Sequence, residues 1–411
     1  MSLRILHTAD WHTREKDIEE CSKVLDAMCK HAIAISGELD LIVVAGDLTD
    51  RNDVKFDSQT ARLVMQTVTW LSMAAPVVII SGTKYHDGNI PELLDGTNIH
   101  AYYPVAVSTR PEQFVLGKDN EFYPLADNAD AKMLISTIPT PTKQYFESRG
   151  GIEETDRAIG EAMTAIFADM GMTAGRLNIP HVPIGHWQVG GAYVSETQQL
   201  VGRDIEVSVD QILSARPSVA CLGHIHYAQQ IRNHPVFYSG SSYRKDFGEM
   251  EDKGFWIHTV PEQGIGYEYS EWVELPTRKL VKVEHNYASP NAEPDTDPRA
   301  IIGQYSPENI EGAHVRIGLR VWQDQRDQVD RARLKQDLID MGAAQAEVHI
   351  VGVPRQNVRA EEVLQAERLR DKVLARAEIV GDTVAESILE KCDALEMESK
   401  EEIVEKTEKA A

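Results

Sequence analysis

The stretch LIVVAGDLTD, residues 41–50, decides the fold of this chain of 411 residues. Its apolar first half predicts a short strand buried on both faces, as in parallel sheets that are covered by helices. Gly46 permits a sharp turn out of that strand, and the Asp47 carboxylate offers two oxygens that can each bind a cation. Asp50 is expected to cap or brace the following helix. Because ligands of open α/β sheets bind beyond the carboxyl ends of strands, the stretch predicts an α/β fold with a cation ligand at a strand end.

The first two-thirds of the chain repeat this arrangement. Short runs that are rich in β-branched residues and bounded by Gly, Pro, Asn or Asp predict strands. They lie at Arg4–Ala9, Leu41–Ala45, Pro76–Ser81, Lys132–Ile138, Val182–Ile184, Val219–Leu222 and Val236–Ser239. Helical spacing of apolar residues predicts helices at Ile18–Ile35 and Ser58–Ala74 between the early strands. This alternation is typical of an α/β fold.

Metal-capable side chains follow three more of these strands. Asp10 and His12 stand two residues apart and can turn toward one cation just beyond the strand end. His224 and His226 share one face of an extended segment, which suits one ligand to each of two neighbouring cations. Imidazole nitrogens match Mn, Fe or Zn better than Mg or Ca. The pattern therefore predicts a two-cation site, and its ligands are Asp10, His12, Asp47, His186, His224 and His226, with His181 as a further candidate.

A site of this kind predicts hydrolysis of phosphoesters. Two cations about 3.5–4 Å apart clamp the attacking and leaving oxygens and acidify a water between them. No covalent enzyme intermediate is needed for such a reaction.

The charge and the cysteines limit the classes of protein. A net charge of −23 argues against a protein that coats DNA with a general basic surface. It does not exclude a nuclease, because bound cations offset the local negative charge. Cys21, Cys29, Cys221 and Cys392 form no zinc spacing and are expected to be reduced. With neither a bilayer-spanning apolar run nor a signal-peptide pattern, the cytoplasm is the expected compartment and no membrane partner is expected.

The pattern changes after about Leu275. Strands at Lys279–Glu284, Val315–Val321 and Glu347–Val351 and a helix at Asp327–Met341 predict a small separate α+β domain. After Pro354, helical patterns at Ala360–Ile379 and Thr383–Lys409 flank Gly381. The chain is therefore predicted to divide into a main domain of residues 1–275, a smaller domain of residues 276–354 and a helical segment of residues 355–411.

Taken in order, Asp-Trp-His, Gly-Asp-Leu-Thr-Asp, Gly-His and Gly-His-Ile-His resemble the motifs of the calcineurin-like metallophosphoesterase superfamily. The run YSGSSYRKDFGE at residues 238–249, followed by DKGF at residues 252–255, is similar to SbcD-type DNA repair nucleases. The resemblance implies an α/β fold with a β-sandwich flanked by helices, a capping domain that recognises DNA and a C-terminal helical segment. It also implies a homodimer with exonuclease and endonuclease activity on DNA ends or hairpins, whose helical segment binds an SbcC-type SMC-like ATPase.

The resemblance also assigns roles to residues. One metal would be held by Asp10, His12, Asp47 and His226, and the other by Asp47, His186 and His224, with manganese the usual metal and magnesium possible. Gly82-Thr83-Lys84-Tyr85-His86-Asp87 departs from the family motif, which has asparagine as a metal ligand followed by histidine. His86 aligns with the family histidine, which assists the leaving group, and Thr83 stands near the asparagine position. His86 is therefore a catalytic candidate together with Asp47, although a role as a ligand stays open.

Two alternatives remain open at this point. The first is a phosphodiesterase or phosphatase that acts on small molecules. The second is a non-catalytic subunit that binds DNA and holds an ATPase. Basic residues close to the motifs are candidates for DNA contact, and they are Arg14, Lys143, Arg244 and Lys245.

Overall fold

A computed structural model describes most of the chain. The described residues are 2–95, 102–141, 152–196, 198, 205–288, 307–354, 363, 365–380 and 382–396. The chain forms two compact units, Met1–Val281 and Lys282–Ala411. The predicted division into three parts stays a prediction.

The described part of the first unit contains two large sheets. The strands of the first sheet are β1 (Ser2–Thr8), β2 (Leu41–Val44), β3 (Val77–Ile80), β4 (Val105–Ser108), β14 (Gly254–Pro261) and β15 (Tyr269–Glu274). Those of the second are β5 (Glu112–Gly117), β6 (Phe122–Pro124), β7 (Ala131–Ile138), β8 (His181–His186), β11 (Ala220–Gly223), β12 (Gln229–Gln230) and β13 (Val236–Tyr238). A small ladder pairs β9 (Gln188–Val189) with β10 (Glu206–Val207).

The order of the strands explains where the site lies. The first sheet runs β15-β14-β1-β2-β3-β4, with β1 to β4 parallel. The second runs β12-β13-β11-β8-β7-β5-β6, with β7, β8, β11 and β13 parallel. The carboxyl ends of β1 and β2 therefore meet at one edge of the first sheet, and those of β8 and β11 meet at one edge of the second.

Helices cover the outer faces of both sheets. They are α1 (Ile18–Ala34), α2 (Gln59–Leu71), α3 (Ile90–Asp95), α4 (Ile152–Leu177) and α5 (Val209–Ser214). Leu6 and Ile42 pack toward α1 and α2, whereas Ile5 and Val43 pack into the layer between the sheets with Val182 of β8. Because alternate residues of each strand enter two apolar layers, the strand sequences are continuously apolar. The predicted α/β fold with a β-sandwich flanked by helices is confirmed.

Several elements differ from the sequence predictions, and strands β4, β5, β6, β9, β10, β12 and β15 were not predicted. Strand β14 pairs antiparallel with β1 and was not predicted. Helix α4 was also missed, because Gly160, Gly171 and Gly175 weaken its helical signal. The helix expected at Asp327–Met341 begins only at Arg331, because the Asp330 side chain accepts a hydrogen bond from the Arg333 amide at 2.9 Å and caps it.

The second unit contains a three-stranded sheet in its described part. Its strands are β16 (Leu280–Asn286), β17 (His314–Trp322) and β18 (Gln345–Val353), in the order β16-β17-β18. Its helices are α6 (Pro307–Ile310), α7 (Arg331–Asp340) and α8 (Leu369–Val380), and residues 386–396 are helical. Arg370 of α8 pairs with Asp393 at 2.6 Å and with Glu386 at 2.9 Å. Residues 397–409 of the last predicted helix lie outside the described residues.

None of the helices in the described ranges has the length and the apolar character that are needed to cross a bilayer.

Candidate metal centre

The loops after four parallel strands bring the predicted ligands together. Asp10 and Asp47 follow β1 and β2, His186 ends β8, and His226 follows β11. Ligand atoms of Asp10, Asp47 and His186 all lie within 4.8 Å of one another, and so do those of Asp10, His12 and His226. Asp10 belongs to both groups. Asp10 and His226 are more than 200 residues apart in the sequence, and they come together because the two sheets face each other.

The loops after β1 and β2 hold each other in place. The Asp10 amide donates to the Gly46 carbonyl and the His12 amide donates to the Asp47 carbonyl, both at 3.0 Å. Asp10, His12 and Asp47 have positive φ angles of 51°, 43° and 53°, and His224 has a φ of 93°. Such a backbone costs on the order of 1–3 kcal/mol for each non-glycine residue. Four of the nine non-glycine residues with a positive φ in the described part of the chain are thus predicted ligands.

The Asp47 carboxylate lies at the middle of the centre. Its Oδ2 atom is 3.3 Å from Nε2 of His186 and 3.9 Å from Nε2 of both His12 and His86. Its Oδ1 atom accepts hydrogen bonds from the Thr83 amide at 2.7 Å and from the Thr83 hydroxyl at 3.1 Å. One oxygen is therefore held by Thr83 while the other faces three imidazoles.

His12 and His226 point at each other through equivalent atoms. Their Nε2 atoms are 2.9 Å apart, which is the separation of two adjacent ligands that each lie about 2.0–2.1 Å from one cation. Nδ1–H of His226 donates to Oε1 of Glu249 at 2.6 Å, which leaves Nε2 with its lone pair. Burial lowers the pKa of both histidines and so favours the neutral form that binds cations. A carboxylate behind a metal-binding histidine is the usual second partner of such a ligand.

His186 is oriented in the same way. Its Nδ1–H donates to the Ala45 carbonyl at 2.7 Å. Its Nε2 atom is buried and lies 3.3 Å from Oδ2 of Asp47, without a well-aligned hydrogen bond among the described residues. A buried polar atom of this kind calls for a partner, and a cation would supply one. The donor set of carboxylate oxygens and imidazole nitrogens thus fits a divalent transition metal.

His224 is placed beside these residues. Its amide donates to both Asp10 oxygens, at 3.1 and 3.0 Å. Its ring lies edge-on to that of His186, with 5.3 Å between the ring centroids. All six predicted ligands lie in the described part of the chain, and His224 is the one that belongs to neither of these two groups of close ligand atoms.

Asp87 was not identified from the sequence as part of the centre. It is buried, and its oxygens accept hydrogen bonds from the amides of Asp47 at 3.1 Å, Leu48 at 2.6 Å and Gly82 at 2.7 Å. A Cβ atom on Gly82 would lie 2.1 Å from Oδ1 of Asp47, so only glycine permits this approach. The carboxylate that directly follows His86 in the sequence was the available signal.

Residues 238–255 support the centre through hydrogen bonds to its loops. The Tyr243 hydroxyl donates to the His12 carbonyl at 3.0 Å. The buried Lys253 donates to the His226 carbonyl at 3.1 Å and lies 3.2 Å from Oε2 of Glu249. This part of the chain therefore positions two predicted ligands, His12 and His226, a role that the resemblance of its sequence does not by itself reveal.

Three of the basic candidates for DNA contact pair within the protein. Arg14 donates to Asp17, Arg244 contacts Asp252 at 2.9 Å, and Lys245 contacts Asp50 at 2.8 Å. The expectation that Asp50 caps or braces the following helix is wrong as regards the cap, because Ser58 caps α2 through the Ala61 amide. Lys143 lies outside the described residues.

Other buried histidines have structural partners. Nδ1 of His181 bonds to the Ala215 carbonyl and its Nε2 to Ser136, both at 2.8 Å. His7 and His258 contact each other at 3.2 Å, and their other ring nitrogens bond to Leu222 and Ser270. These hydrogen bonds account for the ring nitrogens, and His181 is not part of the centre.

The centre should release protons when a cation binds. Burial and the nearby Asp47 raise the pKa of Asp10, while burial lowers the pKa of His186 but Asp47 and Asp10 raise it overall. Both groups therefore hold protons at a higher pH than free side chains do, and a cation must displace those protons. We expect the affinity for Mn²⁺ to fall as the pH is lowered from about 8 to about 6. Calorimetric titrations in buffers of different ionisation enthalpy measure the release, and identical heats in all buffers would contradict it.

Comparison with known proteins places these residues in a family. The family model described as calcineurin-like phosphoesterase matches residues 3–227, a span that includes all six predicted ligands. A protein of Staphylococcus saprophyticus that is named as the D subunit of the nuclease SbcCD is 27% identical over 301 residues, which cover 69% of this chain and 72% of the relative. The protein of the same name from Staphylococcus epidermidis is 26% identical over 303 residues, which cover 69% of this chain and 73% of the relative.

Proposed function

Since the chain belongs to the calcineurin-like phosphoesterase family, we propose that it is a nuclease that cuts DNA by metal-dependent hydrolysis of phosphodiester bonds. The observation that carries the proposal is that two close groups of ligand atoms, Asp10 with His12 and His226 and Asp10 with Asp47 and His186, adjoin each other. Oδ2 of Asp47 lies between them, 3.3 Å from Nε2 of His186 and 3.9 Å from Nε2 of His12. Two neighbouring cations fit such a double group. The names of the two relatives favour DNA over a small phosphoester as the substrate.

We assign the ligands as follows. Asp10, His12, Asp47 and His226 would hold one cation, and Asp47, His186 and His224 would hold the other. Bound cations would supply an activated water and charge stabilisation at the phosphate. Manganese is the proposed metal, because imidazole makes up most of the donor set, and magnesium is the second choice.

Thr83 would affect the affinity of the site for the second cation. Its hydroxyl donates to Oδ1 of Asp47 at 3.1 Å, and a neutral hydroxyl is a weaker ligand than the amide oxygen that the family uses. We therefore propose that the cation beside His186 binds more weakly than the one beside His226.

His86 is proposed as the proton donor to the leaving oxygen. Its Nδ1–H donates to the Asp50 carbonyl at 2.7 Å, and its Nε2 atom faces Asp47 at 3.9 Å. The side chain is 24% exposed, in contrast to the fully buried His12 and His186. It therefore faces the cluster from the side that substrate can reach.

Replacing His86 with alanine should slow cleavage by about 10²–10⁴-fold, the usual contribution of a general acid. The metal content should stay close to that of the wild type, because His86 is not among the assigned ligands. Steady-state kinetics and elemental analysis of the same samples test both statements. Loss of one cation per chain would instead make His86 a ligand.

The partner is proposed from the resemblance and from the relatives, whose names describe one part of a complex. We propose that the chain acts as a homodimer on DNA ends or hairpins together with an SbcC-type SMC-like ATPase, and that its C-terminal helical segment binds that ATPase. A variant truncated after Pro354 should keep nuclease activity and lose association with the ATPase in a pull-down experiment. Undiminished association would contradict the role of the segment.

One assay tests the proposed function against the alternatives. The metal-free protein is reconstituted with Mn²⁺ and offered single-stranded DNA, hairpin DNA and bis(p-nitrophenyl) phosphate. Cleavage of DNA at a much higher kcat/KM than that of the chromogenic diester supports a nuclease. Turnover of the diester alone would favour a small-molecule phosphodiesterase, and failure to bind Mn²⁺ would favour a non-catalytic subunit.

A further inference from the structure

An exposed tyrosine follows His226 of the metal centre in the sequence, and a second exposed tyrosine packs against it. Tyr193 is 75% exposed and Tyr227 is 39% exposed, although both have large apolar rings. Tyr227 directly follows the proposed ligand His226, so their Cα atoms are about 3.8 Å apart. The two tyrosine rings contact each other, with 6.2 Å between their centroids. Together they form an aromatic surface, here called the tyrosine platform, next to a proposed ligand.

Gln229 holds both tyrosines in place. Its Oε1 atom accepts a hydrogen bond from the Tyr193 amide at 2.9 Å. Its Nε2 atom donates to the carbonyls of Tyr193 at 2.8 Å and of Tyr227 at 3.0 Å. One side chain therefore fixes the backbone of both residues of the platform.

Gln198 connects the same loop to the metal centre. Its Oε1 atom accepts from the His226 amide at 3.0 Å, and its Nε2 atom donates to the His224 carbonyl. The loop that carries Tyr193 is thus bonded to both histidines of the Gly-His-Ile-His segment. The position of the platform is set relative to the proposed ligands.

We propose that the tyrosine platform binds an unpaired nucleobase of the substrate next to the scissile phosphate. The proposal rests on the proposed function as a DNA nuclease. Bases of single strands stack on exposed aromatic side chains, whereas bases within a duplex are already stacked on their neighbours. The two rings are in contact, so the base stacks on their outer face and does not enter between them. The platform therefore selects single-stranded ends over duplex, independently of sequence.

Stacking also suits the charge of this protein. A net charge of −23 limits what general electrostatic attraction can contribute to binding of a polyanion. Three basic residues near the motifs pair with acidic groups of the protein. Uncharged aromatic stacking supplies affinity that does not depend on a basic surface.

The test compares three variants of the full chain. The first is Tyr193→Ala with Tyr227→Ala, the second is Tyr193→Phe with Tyr227→Phe, and the third is Tyr269→Ala. Tyr269 is 56% exposed on β15 and serves as the matched control. Each protein is reconstituted with Mn²⁺ and assayed on a single-stranded oligonucleotide and on bis(p-nitrophenyl) phosphate. Metal content and melting temperature are measured for all variants.

The ratio of the two kcat/KM values, oligonucleotide over chromogenic diester, is the readout. We expect the double alanine variant to lower this ratio about tenfold, which corresponds to the loss of one stacked base. The double phenylalanine variant and the Tyr269→Ala variant should keep the ratio of the wild type. The quenching of a 2-aminopurine base in the bound oligonucleotide should decrease only in the double alanine variant.

The possible failures are distinguishable. A wild-type protein that turns over the chromogenic diester but no oligonucleotide contradicts the proposed function. A wild-type protein that cleaves the oligonucleotide while the double alanine variant keeps the full ratio overturns the platform alone. A phenylalanine variant that is as impaired as the alanine variant also overturns it, because stacking needs the rings and not the hydroxyls.

Discussion

Replacing Asp47 with asparagine should lower the rate of phosphodiester cleavage by about a thousandfold or more. Asp47 faces His186 at 3.3 Å and His12 and His86 at 3.9 Å, and it is the residue that we propose to be shared by two cations. Loss of its charge removes several kcal/mol of stabilisation of the developing charge, and each ~1.4 kcal/mol is tenfold in rate. Elemental analysis should find at most one cation per chain in place of two.

The matched control for this variant is Asp53→Asn. Asp53 lies in the loop after β2 like Asp47, but its side chain is 66% exposed and pairs only with Arg51 among the described residues. Its loss should leave cleavage and metal content unchanged. If Asp47→Asn were as active as this control, Asp47 would not be a shared ligand.

Replacing Glu249 with alanine should weaken both metal binding and folding. The carboxylate accepts Nδ1–H of His226 at 2.6 Å and lies 3.2 Å from Nζ of Lys253. Loss of a carboxylate behind a ligating histidine typically lowers metal affinity by about 10–100-fold. Lys253 is 1% exposed and keeps only Glu251 as an acidic partner among the described residues, so we expect about 3 kcal/mol of destabilisation. Mn²⁺ titration and denaturant unfolding measure the two effects.

A second substitution separates those two effects. Glu249→Ala combined with Lys253→Met removes the buried charge along with its partner and should recover much of the stability. The metal affinity should stay low, because the acceptor for His226 is still absent. Should affinity recover together with stability, Glu249 would act through folding alone and not by orienting His226.

The fold was largely predictable because its strands carry a strong local signal. Leu41–Val44 is apolar throughout, which is the pattern expected of a strand that is buried between two layers. Strand β14 escaped prediction because nothing local indicates that Gly254–Pro261 pairs with the first strand, more than 240 residues earlier in the chain. Such pairings depend on tertiary structure. Helix α4 was not predicted because its glycine residues weaken the helical pattern of the sequence.

The candidate centre was predictable where ligands follow strands in short motifs. The structure brings Asp10, His12 and His226 together across the sheets, as the sequence predicted, while their roles as ligands stay a prediction. The supporting residues were not predictable in this way. Asp87 accepts hydrogen bonds from backbone amides of the Asp47 loop, and Glu249 accepts a hydrogen bond from Nδ1–H of His226. Neither function leaves a pattern in the sequence, because each depends on loops that meet only in three dimensions.

Anomalous X-ray diffraction from crystals soaked in Mn²⁺ tests the two-cation centre most directly. We expect two manganese peaks about 3.5–4 Å apart, with Asp47 in contact with both, one peak beside His226 and the other beside His186. A weaker second peak at limiting Mn²⁺ would agree with Thr83 in place of an amide ligand. No manganese at Asp47, or a single ion bound away from both histidines, would contradict a two-cation centre.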